Sequence, residues 1–434
     1  MTMAWEQSWR RPLVCHPVLA GLTVFSLLLG AVGQEVTTYV DGLGGSDHFD
    51  GLSLDVVGEQ GPKRTIQAAL DAAAAAPPEV TPHVVVLPGL YAERVCFPPR
   101  DVILNSADPD DPEIVAATCL AGAAGADSPF PLALLFSGAT GPGTIVRGFT
   151  VRTGTGRAIE CRDGAAPTLS GNVICANPAG ALLSIDSRPT LTACVVYGNG
   201  PVDAAGTVCC IGGELRLLGC TLTGNVSATS VTCQDSRLTV RNAILWDART
   251  ASGEPGLQID CRGGSVAHVT YSCIAGAHRG VAGQVSLGQG VMGVDPQFAD
   301  PASGDVHLRS QGGRWTATGW LADASTSPCI DAADPESDVA AEPEPHGGCA
   351  NLGAYGGTAQ ASHPAAVPAV PAAAALSVAR VAGSRASVSL PATLLRGAGR
   401  LIAAWPLNEN LNDLSANGLH LRPEGHVRIT AGAL

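Results

Sequence analysis

Lysine is almost missing from this chain: Lys63 is the single one among 25 basic residues, and the rest are arginine. That removes lysine from nearly every catalytic scheme. Aromatic residues make up only 4%, so a core must be built from Ala, Val, Leu and Ile. Charged residues are scarce at 15% against 46% hydrophobic, which excludes a disordered or collagen-like chain. Positive charge is outnumbered, with a formal net of −13, and this makes a poor partner for nucleic acid or an anionic membrane. No Cys-x-x-Cys pair occurs, which argues against a structural zinc site. Abundant instead are Gly (53) and Pro (31), the composition of many short strands joined by turns.

The N-terminus carries the one long apolar run, Val18 to Val32, behind Arg10 and Arg11. It is short for a membrane span, and Ala31 and Gly33 sit at −3 and −1 of a cut before Gln34. Residues 1–33 are therefore read as a secretory signal peptide, with an uncleaved anchor as the alternative. The mature chain is expected to be secreted or at the cell surface, with no stable membrane insertion. Thirteen of its fourteen cysteines remain after the cut, an odd number that leaves at least one free thiol or an intermolecular bond.

The middle of the chain repeats. Thr144-Ile-Val-Arg-Gly-Phe-Thr-Val151, Pro167-Thr-Leu-Ser-Gly-Asn-Val-Ile174, Pro189-Thr-Leu-Thr-Ala-Cys-Val-Val196, Leu215-Arg-Leu-Leu-Gly-Cys-Thr-Leu222 and Leu238-Thr-Val-Arg-Asn-Ala-Ile-Leu245 align in three columns. The first is Val146, Leu169, Leu191, Leu217, Val240, with steps of 23, 22, 26 and 23 residues. The second is Phe149, Asn172, Cys194, Cys220, Ala243, and the third is Val151, Ile174, Val196, Leu222, Leu245. Each phrase is too short for a helix and rich in β-branched residues. Gly-Asn turns at 198–199 and 224–225 close two of them, and a second short strand recurs at 158–161, 207–210, 230–233 and 258–261. This period predicts a parallel β-solenoid whose coils stack at about 4.8 Å. Stacked Cys194 and Cys220 fall within disulfide reach, or form a column of buried free thiols. Thr65 is a plausible N-cap for an Ala-rich helix over 65–76 that covers the first coil.

The order Tyr39-Val-Asp-Gly, Thr65-Ile-Gln-Ala-Ala-Leu, Val86-Leu-Pro-Gly-Leu-Tyr-Ala-Glu93 resembles the opening of secreted right-handed parallel β-helix proteins of the pectate-lyase-like superfamily. The resemblance implies an all-β, right-handed parallel β-helix over 36–300 with an N-terminal capping helix. Asp295-Pro-Gln-Phe298, Asp305-Val-His-Leu308, Ser327-Pro-Cys-Ile-Asp331 and Asn351-Leu-Gly-Ala-Tyr355 resemble a choice-of-anchor Q closing segment over 301–358, expected to cap the last coil. Cys329 and Cys349 sit at its edges as candidates for a disulfide. Residues 359–400 form an Ala/Pro-rich linker. Residues 401–434 resemble the start of a concanavalin- or laminin-G-like domain, a truncated jelly-roll-like tail.

The superfamily holds both enzymes and binding proteins, so function is argued from side chains. The acidic runs, the Gly-His-Gly and the Asp-Pro-His-Asp phrases of pectate lyases, polygalacturonases and alginate epimerases are absent. What remains for a catalytic site is a loose group around a 249–256 insertion: Arg241, Asp247, Arg249, Asp260, Arg262 and His268. Long loops on solenoids build binding faces. Trp246, Trp315 and Trp320 are candidates for stacking on sugars. Asp41, Asp47 and Asp50 lie in a Gly-rich loop and are candidates for holding Ca²⁺. Asn225-Val-Ser227 is a glycosylation sequon. The expectation is a secreted or surface β-helix protein, glycan- or polysaccharide-associated and non-catalytic; the alternative is a polysaccharide lyase acting on uronate polymers.

Overall fold

In a computed structural model the described residues are 36–125, 128–201 and 206–365, with four short backbone stretches between 379 and 401. The expected signal peptide lies outside them, and so, apart from those short stretches, do the jelly-roll fragment and the expected linker beyond 365; the first linker residues, 359–365, are described, and Ala361, Ser362 and His363 are buried.

The chain winds into a parallel β-solenoid with three sheets. The first runs from Thr37–Val40 through His83–Val86, Ile103–Ser106, Ile145–Arg147, Thr168–Ser170 and Thr190–Thr192 to Gln284–Leu287, all pairings parallel. The second is an eight-stranded sheet from Gly89–Tyr91 to Cys273–Ile274. The third includes Arg157–Arg162, Leu182–Ser187, Thr229–Gln234 and Leu257–Arg262. The first and third merge because one 11-residue strand, Val208–Leu218, passes from one into the other.

The aligned columns are the ladders. Val146, Leu169, Leu191, Leu217 and Val240 pair in register, and the column extends to Val84 and Leu104 before it and Val269 after it. Val151, Ile174, Val196, Leu222 and Leu245 do the same in the second sheet. All are buried. At about 25 cal/mol per Å² of apolar surface, this stacking supplies the main favourable term for a chain so poor in aromatics.

The middle column turns the corner between these two sheets. One residue before it, each coil turns left-handed, at Gly148, Gly171, Ala193, Gly219 and Asn242. Asn172 there accepts from Phe149 N at 3.0 Å and donates to Val146 O at 2.9 Å. Cys194 and Cys220 Sγ donate to Leu169 O and Leu191 O, each at 3.3 Å, and both are free thiols. The next corner carries a buried asparagine ladder. Asn177 Nδ2 donates to Asn199 Oδ1 at 2.8 Å, and Asn199 Nδ2 donates to Asn225 Oδ1 at 2.9 Å. A third stack, in the third sheet, sets Cys161, Ser184, Cys210, Cys233 and Cys261 in register.

The helix Ile66–Ala74 begins at Thr65, whose Oγ1 accepts from Ala68 N at 3.2 Å, and buries Ile66, Ala69, Leu70 and Ala73. Glu93 adds a second cap from another part of the chain, accepting from Ile66 N at 2.8 Å and Gln67 N at 2.9 Å. A short helix, Pro112–Ala117, is inserted ahead of the coil at Thr118–Leu120.

The closing segment departs from its expected place. It does not sit over the last coil, where Val281, Val285, Leu287 and Val291 are only half-buried. It folds back along the outer surface of the second sheet, which is unusually apolar. Phe298, Val306, Leu308, Ile330, Leu352 and Ala354 form one buried cluster with Val195, Ile244 and Cys273 of the sheet. Asn242 fixes the register: its Oδ1 accepts from Asp334 N and its backbone oxygen accepts from Gly353 N, both at 2.8 Å.

Candidate functional site

The six charged candidates do not form one site. Arg241 and His268 lie on the first sheet, and Arg241 is spent on Asp334 of the closing segment at 2.8 Å. His268 points to solvent. Asp260 and Arg262 lie on the third sheet and pair at 2.7 Å. Sequence proximity misled here, because neighbouring residues along a solenoid are distributed over different faces.

Asp247 and Arg249 do share a site. They line an open groove of about 380 Å³ with Trp246, Gln258 and Arg279. Two successive coils build it at the corner between the second and third sheets. On the first coil the insertion leaves the solenoid as expected, closed by Thr250 N to Glu254 O at 2.9 Å. On the next coil a short 3₁₀ turn, Ala277–Gly280, forms the opposite wall. A Cβ at Gly280 would lie 1.9 Å from Ala275 O, so only glycine lets this wall sit down on the groove floor. The asparagine ladder ends at this point: Ala248 follows Asn225 in the stack, and the backbone of Arg249 donates to Asn225 O at 3.1 Å.

The groove's chemistry is modest. Arg249 is neutralised by Asp247 at 2.6 Å. Gln258 is buried in the floor, accepting from Ser230 Oγ at 3.0 Å. Arg279 is exposed and has no ion-pair partner among the described residues. Trp246 is half-buried, with part of its ring against the closing-segment cluster. Sequence reasoning missed Gln258 and Arg279. The signal was the Gly276–Gly280 stretch, which falls one coil after the insertion and at the same corner.

The other candidates fall elsewhere. Trp315 and Trp320 face each other across the hairpin Arg314–Thr316/Gly319–Leu321 of the closing segment. Trp315 stacks on His307 at 5.1 Å, and His307 stacks on Tyr355 at 3.8 Å. His307 Nδ1 meets Asp305 at 2.6 Å, and Arg314 joins Asp305 to Asp323. Burial alone would raise the Asp305 carboxyl, but His307 and Arg314 outweigh it and hold it below the usual range. Trp320 is 46% exposed and tilts over His363 at 4.0 Å.

Asp41, Asp47 and Asp50 do not fit a Ca²⁺ site. Asp47 Oδ1 takes the backbone N–H groups of Arg64 and Thr65 at 3.0 and 2.9 Å. Asp41 and Asp50 close turns onto Leu43 N and Leu52 N at 2.9 and 3.0 Å. Among the described residues no three His, Cys, Asp or Glu side chains gather in a metal-holding group. Cys329 and Cys349 are not joined to each other: Cys349 Sγ donates to Ala333 O at 3.2 Å, and the sulfur beside Cys329 is that of Cys273. No described helix is long and apolar enough to cross a membrane.

A family model described as "Disaggregatase related" matches residues 220–333, the last coils and the start of the closing segment. No curated protein matches the chain. Among solved structures, the crystal structure of pectate lyase Pel9A is similar with a TM-score of 0.40 and 13% identity, covering 74% of this chain and 96% of that one.

Proposed function

We propose that this protein is a secreted or surface-attached β-solenoid that binds an acidic glycan in the 246–280 groove without cleaving it. One observation carries the reading: the groove is lined by both an aromatic ring, Trp246, and an exposed guanidinium, Arg279, that no carboxylate among the described residues neutralises. A ring face takes up the C–H side of a sugar, and a free guanidinium takes a carboxylate in a bidentate pair. Cleavage of a uronate polymer needs in addition a base placed at the C5 proton. The charged side chains beside Arg279, Asp247 and Arg249, are engaged with each other.

The test is retention of the full chain on immobilised polygalacturonate and alginate against a neutral glucan. Retention on the acidic polymers is expected, weakening with salt and falling at least several-fold in Arg279→Ala and Trp246→Ala. Formation of unsaturated uronate products, followed in the ultraviolet with and without Ca²⁺, is the companion assay. Turnover that disappears in Arg249→Ala would replace binding with lyase chemistry. Equal passage over all three matrices would leave a purely structural spacer.

A further inference from the structure

We infer that Cys273 and Cys329 form a disulfide that fastens the closing segment to the side of the solenoid. Cys273 lies on Cys273–Ile274, the last strand of the second sheet, and Cys329 lies in the segment folded over it. Both side chains are 0% exposed. They share one apolar cluster with Phe298, Val306 and Ile330, and the two thiols are close enough to interact directly. A bond between them brings the sulfurs to the covalent separation of about 2.05 Å. The one bond given up is Cys273 Sγ to Val294 O at 3.0 Å, and Val294 is 45% exposed, so water can replace that donor.

The other stacked thiols, Cys194 with Cys220 and Cys233 with Cys261, interact in the same way, but each pair lies on adjacent coils of the solenoid itself. Cys194 and Cys220 each donate to a backbone carbonyl in the corner ladder, and a bond between them would leave Leu169 O and Leu191 O without those donors. It would also join coils already paired strand to strand. A Cys273–Cys329 bond instead ties two layers held by side-chain packing and a few hydrogen bonds. It closes a long loop, the case in which a cross-link restricts the unfolded chain most.

The oxidant is a low-molecular-weight disulfide such as oxidised glutathione. One cysteine thiolate attacks it, forming a mixed disulfide and releasing one thiolate. The second cysteine attacks the protein sulfur of the mixed disulfide and releases the other. The S–S bond of the oxidant breaks, the Cys273–Cys329 bond forms, and the two protein thiol protons end on the two released thiols. The protein loses two electrons and the oxidant gains them. Because both sulfurs are buried in the finished fold, exchange belongs to the folding chain, before the segment docks.

The experiment refolds the reduced full chain in a glutathione redox buffer, blocks free thiols by alkylation and maps peptides without reduction. A linked peptide joining Cys273 to Cys329 is expected, with a melting temperature several degrees above that of chain refolded under reduction. In Cys329→Ala, Cys273 becomes alkylated and the difference in melting disappears. A map that joins Cys329 to Cys349, or finds Cys273 and Cys329 both alkylated in the oxidised protein, overturns the inference. The wild-type map decides alone if the variant does not fold.

Discussion

Replacing Asn199 by alanine tests the corner ladder most directly. Asn199 is fully buried. Its Nδ2 donates to Ile174 O at 2.9 Å, Asn225 Oδ1 at 2.9 Å and Tyr197 O at 3.1 Å. Its Oδ1 accepts from Asn177 Nδ2 at 2.8 Å and from the Asn177 backbone at 3.2 Å. The alanine variant does not orphan all of these partners. Asn177 Nδ2 keeps Val151 O and Cys175 O, and Asn225 Oδ1 keeps the Asn199 backbone N–H. The Asn177 backbone N–H loses its side-chain acceptor, and an unsatisfied buried donor costs about 1–3 kcal/mol. Adding roughly 1 kcal/mol for each of two further net bonds gives about 3–5 kcal/mol. Urea unfolding should show a lowered midpoint with an unchanged slope, and hydrogen exchange should speed up in a peptide covering 173–200. A loss below about 1 kcal/mol, with exchange at 173–200 unaltered, would show that the ladder bonds contribute nothing net.

Three further outcomes follow from the same geometry. Leu191→Ala, between Leu169 and Leu217 in the fully buried first column, should cost about 2–5 kcal/mol in urea unfolding, whereas outward-facing His268→Ala should stay within about 0.5 kcal/mol. Asp305 is held below its ordinary pKa when folded, so its contribution is complete above about pH 4 and fades as pH falls from there through the lower folded value. Asp331 and Glu342 in the same segment are pushed upward by burial and act in the opposite sense, so the comparison is made between wild type and Asp305→Asn: their difference in stability should shrink on acidification. Asn225 donates its amide to Val196 O at 2.9 Å and is 1% exposed, so chain secreted folded from a eukaryotic host should carry no glycan there; a glycosidase-sensitive mass shift mapped to Asn225 in folded protein would contradict the ladder.

The ladders were legible in the sequence because stacking puts one residue type at one place on every coil, so Val146, Leu169, Leu191, Leu217 and Val240 repeat at nearly constant steps. The asparagine ladder was half legible: Gly precedes Asn199 and Asn225, but Ala precedes Asn177 and hides it. The position of the closing segment was not, because it depends on outward-facing Val195, Ile244 and Cys273 making the second sheet apolar on both sides. That pattern is visible only once each strand's inward residue is known. The groove suffered in the same way. Trp246, Asp247 and Arg249 were found from the inserted loop, but Gln258 and Arg279 come from beyond it, and Arg241, Asp260 and His268 had to be assigned to other faces.

Stacked coils that touch only their neighbours can fray from an end one at a time, each step independent of the coils further in. The closing segment changes that behaviour here. It grips Asn242, Thr221 and Cys273 on different coils while its cluster reaches Val195 and borders Val173. Peeling the last coil away therefore means releasing a strap that spans several coils at once. The stretch from about 173 to 274 should open as one unit, with protection from exchange that is level across it and does not decay toward the C-terminal end.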